Sequence, residues 1–116
     1  KVHEMHQVAS RHYAFEGCCF VIAIGQVLQV KDMPNELRMP DELAHQPEYF
    51  LLNGGSCVVA PSGQYLLEPQ FDREAILYVD IPDLMQTYRE RMTLDVTGHY
   101  NRNDVFSFDV NKGRMP

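Results

Sequence analysis

Residues Cys18-Cys19-Phe20-Val21-Ile22-Ala23-Ile24 form an almost unbroken apolar run rich in β-branched side chains. Such a run has no polar alternate face to show to water, so it reads as a strand buried on both sides. Upstream, Met5, Val8, Ala9, His12 and Phe15 recur at three- and four-residue intervals, which predicts a helix with one buried stripe. Gly17 stands between the two patterns, where a left-handed helix cap is expected.

Downstream, residues 31–53 read as a loop excursion, because Pro34, Pro40 and Pro47 each remove a backbone donor and disfavour helix just before them. Asp41-Glu42-Leu43-Ala44 inside it suits a single helical turn. Gly54-Gly55 then releases the chain into Ser56–Ala60, and Pro61-Ser62-Gly63 turns it back into Gln64–Leu67 as a hairpin. Glu74–Ile81 is a second near-continuous apolar strand. Pro82 suits the first position of a following helix, on which Leu84, Tyr88 and Met92 share a face, with Met85 beside them. Residues 94–116 form a tail: a polar turn around Gly98 and Asn101, then a strand with Phe106, Phe108 and Val110 on one side.

About five strands and two to three helices place the chain in the α/β (α+β) class. The inventory is unbalanced, since two strands need cover on both faces and both clear helices can pack on one face of a sheet. Either tight homo-oligomerisation or membership of a larger layered protein follows. The start at Lys1 rather than Met favours an upstream segment.

Composition narrows the partners. A net charge of -6 over 116 residues leaves no basic surplus for tracking phosphates, which excludes nucleic acid as an expected partner. The longest uncharged apolar run, about eight residues, falls well short of the roughly 20 that cross a bilayer, so no membrane partner is expected. Three cysteines, two adjacent, have no disulfide-framework spacing, and the first residues have no secretion-signal pattern; a reduced, cytoplasmic setting is expected.

Several residues invite chemistry without completing it. Cys18 and Cys19 follow His12, but a nucleophilic thiol sits on an exposed elbow from strand to helix, and here a helix runs into an apolar strand. His3, His6 and His12 lack the further ligands a zinc site wants. The acids Asp41, Glu42, Asp72, Glu74, Asp80 and Asp83 stand beside turns and helix starts, where capping favours them. Gly54-Gly55 leads into a strand rather than a helix N-terminus, so it is no phosphate loop. His99, Tyr100, Arg102 and Asp104 read as fastenings for the tail. No catalytic residue, cofactor or metal ligand is assigned.

Three landmarks nonetheless resemble one family, in the right order. Arg11–Val21 resembles the nitrilase segment in which a helix ending Ala-Leu-Glu-Gly runs into Cys-Phe-Val. Gly54–Gln64 is similar to the Gly-Gly-Ser strand and Pro-x-Gly hairpin, and Asp95–Phe106 to the Gly-His-Tyr-Ser-Arg-Pro-Asp-Val ending. The chain resembles the C-terminal part of a nitrilase, in the carbon-nitrogen hydrolase superfamily. The resemblance implies one unit over residues 1–116, part of an α-β-β-α sandwich completed by a missing N-terminal half.

The implied reaction hydrolyses a small-molecule nitrile to a carboxylic acid and ammonia. A Cys thiolate attacks the nitrile carbon, a Glu serves as base, a Lys stabilises developing charge, and the resulting thioester is hydrolysed without a cofactor. The family's nucleophile lies in a Cys-Trp-Glu elbow upstream, and this chain has no Trp. Cys19 and Cys57 match strand positions instead, so the isolated chain is expected to be inactive. Gln26 and Ser56 are the implied substrate-pocket residues. Where the family has Ser-Ala-Asn-Gln this chain reads Ala23-Ile24-Gly25-Gln26, and Asn101 and Asn103 replace a Ser and a Pro of the tail. A related amidase or cyanide-degrading enzyme, or a non-catalytic self-associating fragment, are the alternatives.

Overall fold

A computed structural model describes residues 2–37 and 39–113. Residues 114–116 of the expected tail, Arg38 of the excursion and Lys1 lie outside that range. The structure is mixed α/β: the described residues form one four-stranded antiparallel sheet with three helices, of which the first alone exceeds a single turn.

Helix α1 spans Val2–Gly17. It closes one residue later than expected: Cys18, not Gly17, takes the left-handed backbone, at φ 47°. The Cys18 amide donates to Phe15 O at 3.3 Å and the Cys19 amide to Ala14 O at 3.0 Å, the paired bonds of a Schellman cap. The chain then enters β1 (Val21–Ala23) and β2 (Val27–Gln29). A 3-10 turn at Val30–Asp32 and α2 (Asp41–Ala44) follow, so the expected helical turn forms within the excursion.

The sheet is organised by β3 (Phe50–Val59), which is longer than the sequence pattern suggested and runs through Gly54-Gly55. Both β1 and β2 pair on β3, with Ile22 opposite Val58 and Leu28 opposite Leu52. Its other neighbour is β4 (Tyr65–Phe71), joined to it by the expected hairpin. Gly63 closes that turn at φ +79°, a conformation that costs an L-residue about 1 kcal/mol or more. Arg11 fastens the turn to α1: its Nε donates to Gly63 O at 2.7 Å, and its guanidinium lies 5.4 Å from the Tyr65 ring centroid.

The core sits between α1 and one face of the sheet. Ala14, Cys57 and Val59 form its centre, with Val21, Ala23 and Tyr65 packed around them. The α1 stripe read from the sequence is not the one that packs. Met5 and Val8 are exposed, while Gln7, Ser10 and Ala14 turn toward the sheet. A small alanine allows close approach to the strands, which the apolar count alone did not reveal.

Three further expectations are corrected. Residues 74–81 make no strand, and among the described residues no neighbouring segment offers the stretch backbone hydrogen bonds. Residues 106–110 make none either, and Phe106 and Phe108 are exposed. The last helix is shorter than its pattern, with α3 at Gln86–Arg89 and a 3-10 turn at Glu90–Met92. Its apolar side chains Leu84, Met85, Tyr88 and Met92 face water. β1 is also covered on one side only, leaving Ile22 exposed. The common cause is a lack of cover: apolar pattern sets the tendency, and packing must complete it.

Size measures the deficit. The radius of gyration is 19.7 Å, against about 13 Å for a compact domain of this length. Accessible surface is 9658 Å², against about 6,500 Å² for a compact monomer of this mass. Among the described residues no helix is long and apolar enough to cross a membrane.

Candidate functional site

β1 ends at Ala23, and Gly25 brings the chain against the backbone of Gly54 in β3. A Cβ on Gly25 would lie 2.4 Å from the carbonyl carbon and oxygen of Gly54, so only glycine permits this crossing as it stands. The Gly25 amide donates to Ser56 Oγ at 2.9 Å, and the Ser56 hydroxyl faces Gly25 O at 3.4 Å. The Gly54 amide donates to Gln26 O at 2.9 Å. These contacts fasten the β1–β2 connection to the middle of β3.

A cavity of about 350 Å³ opens beside that junction, lined in part by Gly25, Gly54, Ser56, Gln70, Arg73 and Glu74. Ser56 is thus on a cavity wall. Gln26 lines a different, neighbouring cavity with His3, His6 and Asn53, so the two residues do not converge. Gln70 and Arg73 escaped sequence reading, and Glu74 was read only as an acid beside a turn, because the chain returns past β3 only after the β4 hairpin. Their one signal was the Gly54-Gly55 pair, which marks a close backbone approach.

The thiols are placed for structure. Cys18 is buried; its Sγ donates to Leu94 O at 3.1 Å and lies 3.7 Å from Phe15 O. Burial pushes its pKa up, opposed in part by Arg91. Cys57 is buried in the core, and burial, helped by the charge of Glu68, pushes its thiol up as well. Cys19 is half-buried with its Sγ 4.0 Å from Tyr13 O. Burial with a raised pKa makes Cys18 and Cys57 poor nucleophiles.

The histidines are occupied elsewhere. His3 meets the edge of Phe71 at 5.0 Å, His12 Nδ1 lies 3.3 Å from Glu16, and His99 packs on Tyr100 at 4.3 Å. Among the described residues no three His, Cys, Asp or Glu side chains converge to hold a metal. In the tail, Arg102 pairs bidentately with Asp104 at 2.7 and 2.6 Å, which holds its carboxyl below the usual range. The Cys18 thiol ties the start of this region to the end of α1 through its bond to Leu94 O.

The cavity offers hydrogen-bonding and charged groups but no nucleophile with a base. That shortfall fits what the chain is similar to. The sequence model of the carbon-nitrogen hydrolase family matches residues 1–90. An arylacetonitrilase of Trametes versicolor is 39% identical over 85% of this chain and 31% of its own length. An aliphatic nitrilase of Sinorhizobium fredii is 37% identical over 88% of the chain and 32% of its own length. A bifunctional nitrilase/nitrile hydratase of Lupinus angustifolius is 33% identical over 92% and 31%. The chain thus spans about a third of these relatives. A family match running from α1 through the β3–β4 hairpin into the last helix leaves one conclusion: this chain belongs to the carbon-nitrogen hydrolase family.

Proposed function

We propose that the chain is the C-terminal part of a nitrilase that hydrolyses a nitrile to a carboxylic acid and ammonia through a Cys thioester. The catalytic Cys, Glu and Lys belong to the part of the domain outside this chain. One observation carries the reading: relatives named as nitrilases match most of this chain, while the chain covers about a third of each. The placement of Cys18 and Cys57 supports it, since neither is set up to attack a nitrile carbon.

In this reading the segment supplies α1, the sheet and one wall of the substrate pocket. Ser56 contributes to that wall from the Gly25 junction, and Gln26 from the adjacent cavity mouth. The intact protein is cytoplasmic and homo-oligomeric, and the exposed Met5, Val8 and Tyr13 on α1 suit a subunit contact. Ammonia release from aryl and aliphatic nitriles, amides and cyanide tests the proposal. The purified chain should release none above a blank, and a longer polypeptide carrying the missing part should act on nitriles. Hydrolysis of amides or cyanide alone by the longer polypeptide would overturn the nitrilase reading.

A further inference from the structure

Of the five asparagines in the chain, Asn53 alone precedes a glycine. The backbone nitrogen after an asparagine lies within reach of the side-chain carbonyl carbon, and a Cβ on that next residue hinders its approach; Gly54 has none. After the other asparagines stand Glu36, Arg102, Asp104 and Lys112. The sheet itself demands the glycine. Gly54 sits at φ +93°, and a Cβ on it would lie 3.0 Å from Gln70 O. The residue that lets β3 pass its neighbours therefore also leaves Asn53 open to attack by its own backbone. Asn53 and Gly54 line a cavity of about 430 Å³, so water has access to them.

Three hydrogen bonds hold the reacting atoms in place. The Gly54 amide donates to Gln26 O at 2.9 Å, which engages the proton its nitrogen must lose. Asn53 Nδ2 donates to Asp72 Oδ1 at 3.1 Å, and the Asp72 amide donates to Asn53 O at 2.9 Å. Val27 of β2 pairs with Asn53 as well. Ring closure needs rotation about the Asn53 Cα–C bond, and these pairings prevent it.

We propose that Asn53-Gly54 is a deamidation site that the fold keeps closed and that opens when β2 and Asp72 part from β3. In the open state hydroxide takes the proton of the Gly54 nitrogen, which bonds to Asn53 Cγ. The bond from Cγ to the side-chain nitrogen breaks, and ammonia leaves with a proton from water, restoring the hydroxide. Water then opens the resulting succinimide at one of its two carbonyls. Opening at one leaves aspartate; opening at the other leaves isoaspartate, whose main chain runs through the former side chain and is one carbon longer. Either product adds a negative charge beside Asp72 in place of a hydrogen-bond donor, so like charges meet across the pair. The isoaspartate also displaces Gly54 along β3 from Gln26 O, which loosens the Gly25–Ser56 junction on the cavity wall. Deamidation is thus a one-way release of that junction.

The test incubates the purified chain in buffer and in urea, matched in pH and temperature, and follows each asparagine by peptide mass mapping, which reads a gain of about 1 Da. Asn53 should react first in urea and at least about tenfold more slowly in buffer. Asp72→Gly keeps the backbone conformation at φ 57° and removes the carboxylate. It should speed the reaction in buffer at least about threefold and leave the rate in urea unchanged. Asp72→Asn, which keeps an acceptor oxygen, should match the unsubstituted chain. In the deamidated chain, separated by its added charge on an anion exchanger, the Gly54 amide should exchange hydrogen at least about tenfold faster. Equal rates in buffer and urea, another asparagine reacting first in urea, or an unchanged Gly54 amide after deamidation would overturn the proposal. So would an unaltered rate in an Asp72→Gly chain that circular dichroism shows folded; should that variant unfold, the comparison of buffer with urea decides alone.

Discussion

Two truncations, compared side by side, test where the core lies. Val59 is 0% exposed and packs with Ala14 and Cys57, whereas Ile76 is 81% exposed on residues 74–81. Val59→Ala removes two buried carbons at about 0.8 kcal/mol each and leaves a cavity, for a cost of about 2–3 kcal/mol. Ile76→Ala removes one carbon more, yet should cost no more than about 0.5 kcal/mol, because water already surrounds the side chain. Urea unfolding followed by circular dichroism reads the difference. With a slope of about 1 kcal/mol/M, Val59→Ala lowers the midpoint by about 2 M and Ile76→Ala barely moves it. Equal shifts would refute the reasoning, since they would mean that residues 74–81 are packed in the isolated chain. A shift under about 0.5 M for Val59→Ala would dissolve the core as described.

Other consequences are more local. The Tyr65 hydroxyl is buried without a hydrogen-bond partner, so Tyr65→Phe should leave stability unchanged or raise it by about 1 kcal/mol in the same unfolding assay. Arg11→Lys keeps the charge but loses the Nε donor to Gly63 O and the planar contact on Tyr65; a loss of about 1 kcal/mol is expected by thermal unfolding. Burial raises the pKa of both Cys18 and Cys57 in the folded state, so their contribution is fully present below the unfolded thiol value of about 8.5 and is lost as pH rises through the folded values. The urea midpoint should therefore fall between pH 8 and pH 10. The double variant Cys18→Ala/Cys57→Ala should flatten that fall, with the smaller remainder from Tyr65, whose pKa burial also raises. Thiol titration with an aromatic disulfide at pH 8 should find Cys19 reacting first, and equal rates for all three would contradict their burial.

What the sequence determined by itself was local. The helix before Gly17, the Pro61-Ser62-Gly63 hairpin and the turn at Asp41–Ala44 rest on period, cap and turn chemistry within a few residues, and each forms. Three short motifs also sufficed to identify the family. Tertiary structure alone decided which apolar surfaces are used. Residues 74–81 and 106–110 carry strand patterns as strong as that of β1, but only β1 lies beside β3, and a strand exists only where a neighbour accepts its hydrogen bonds. In α1 the stripe Met5-Val8-Ala9-His12 has the right period, yet Ala14 makes the contact, because closeness to the sheet selects a small side chain. Ser56 meets Gly25 across 31 positions, and Gly25 does so because it has no Cβ to keep Gly54 away. Pattern fixes what each stretch can become; the presence of a partner fixes what it is.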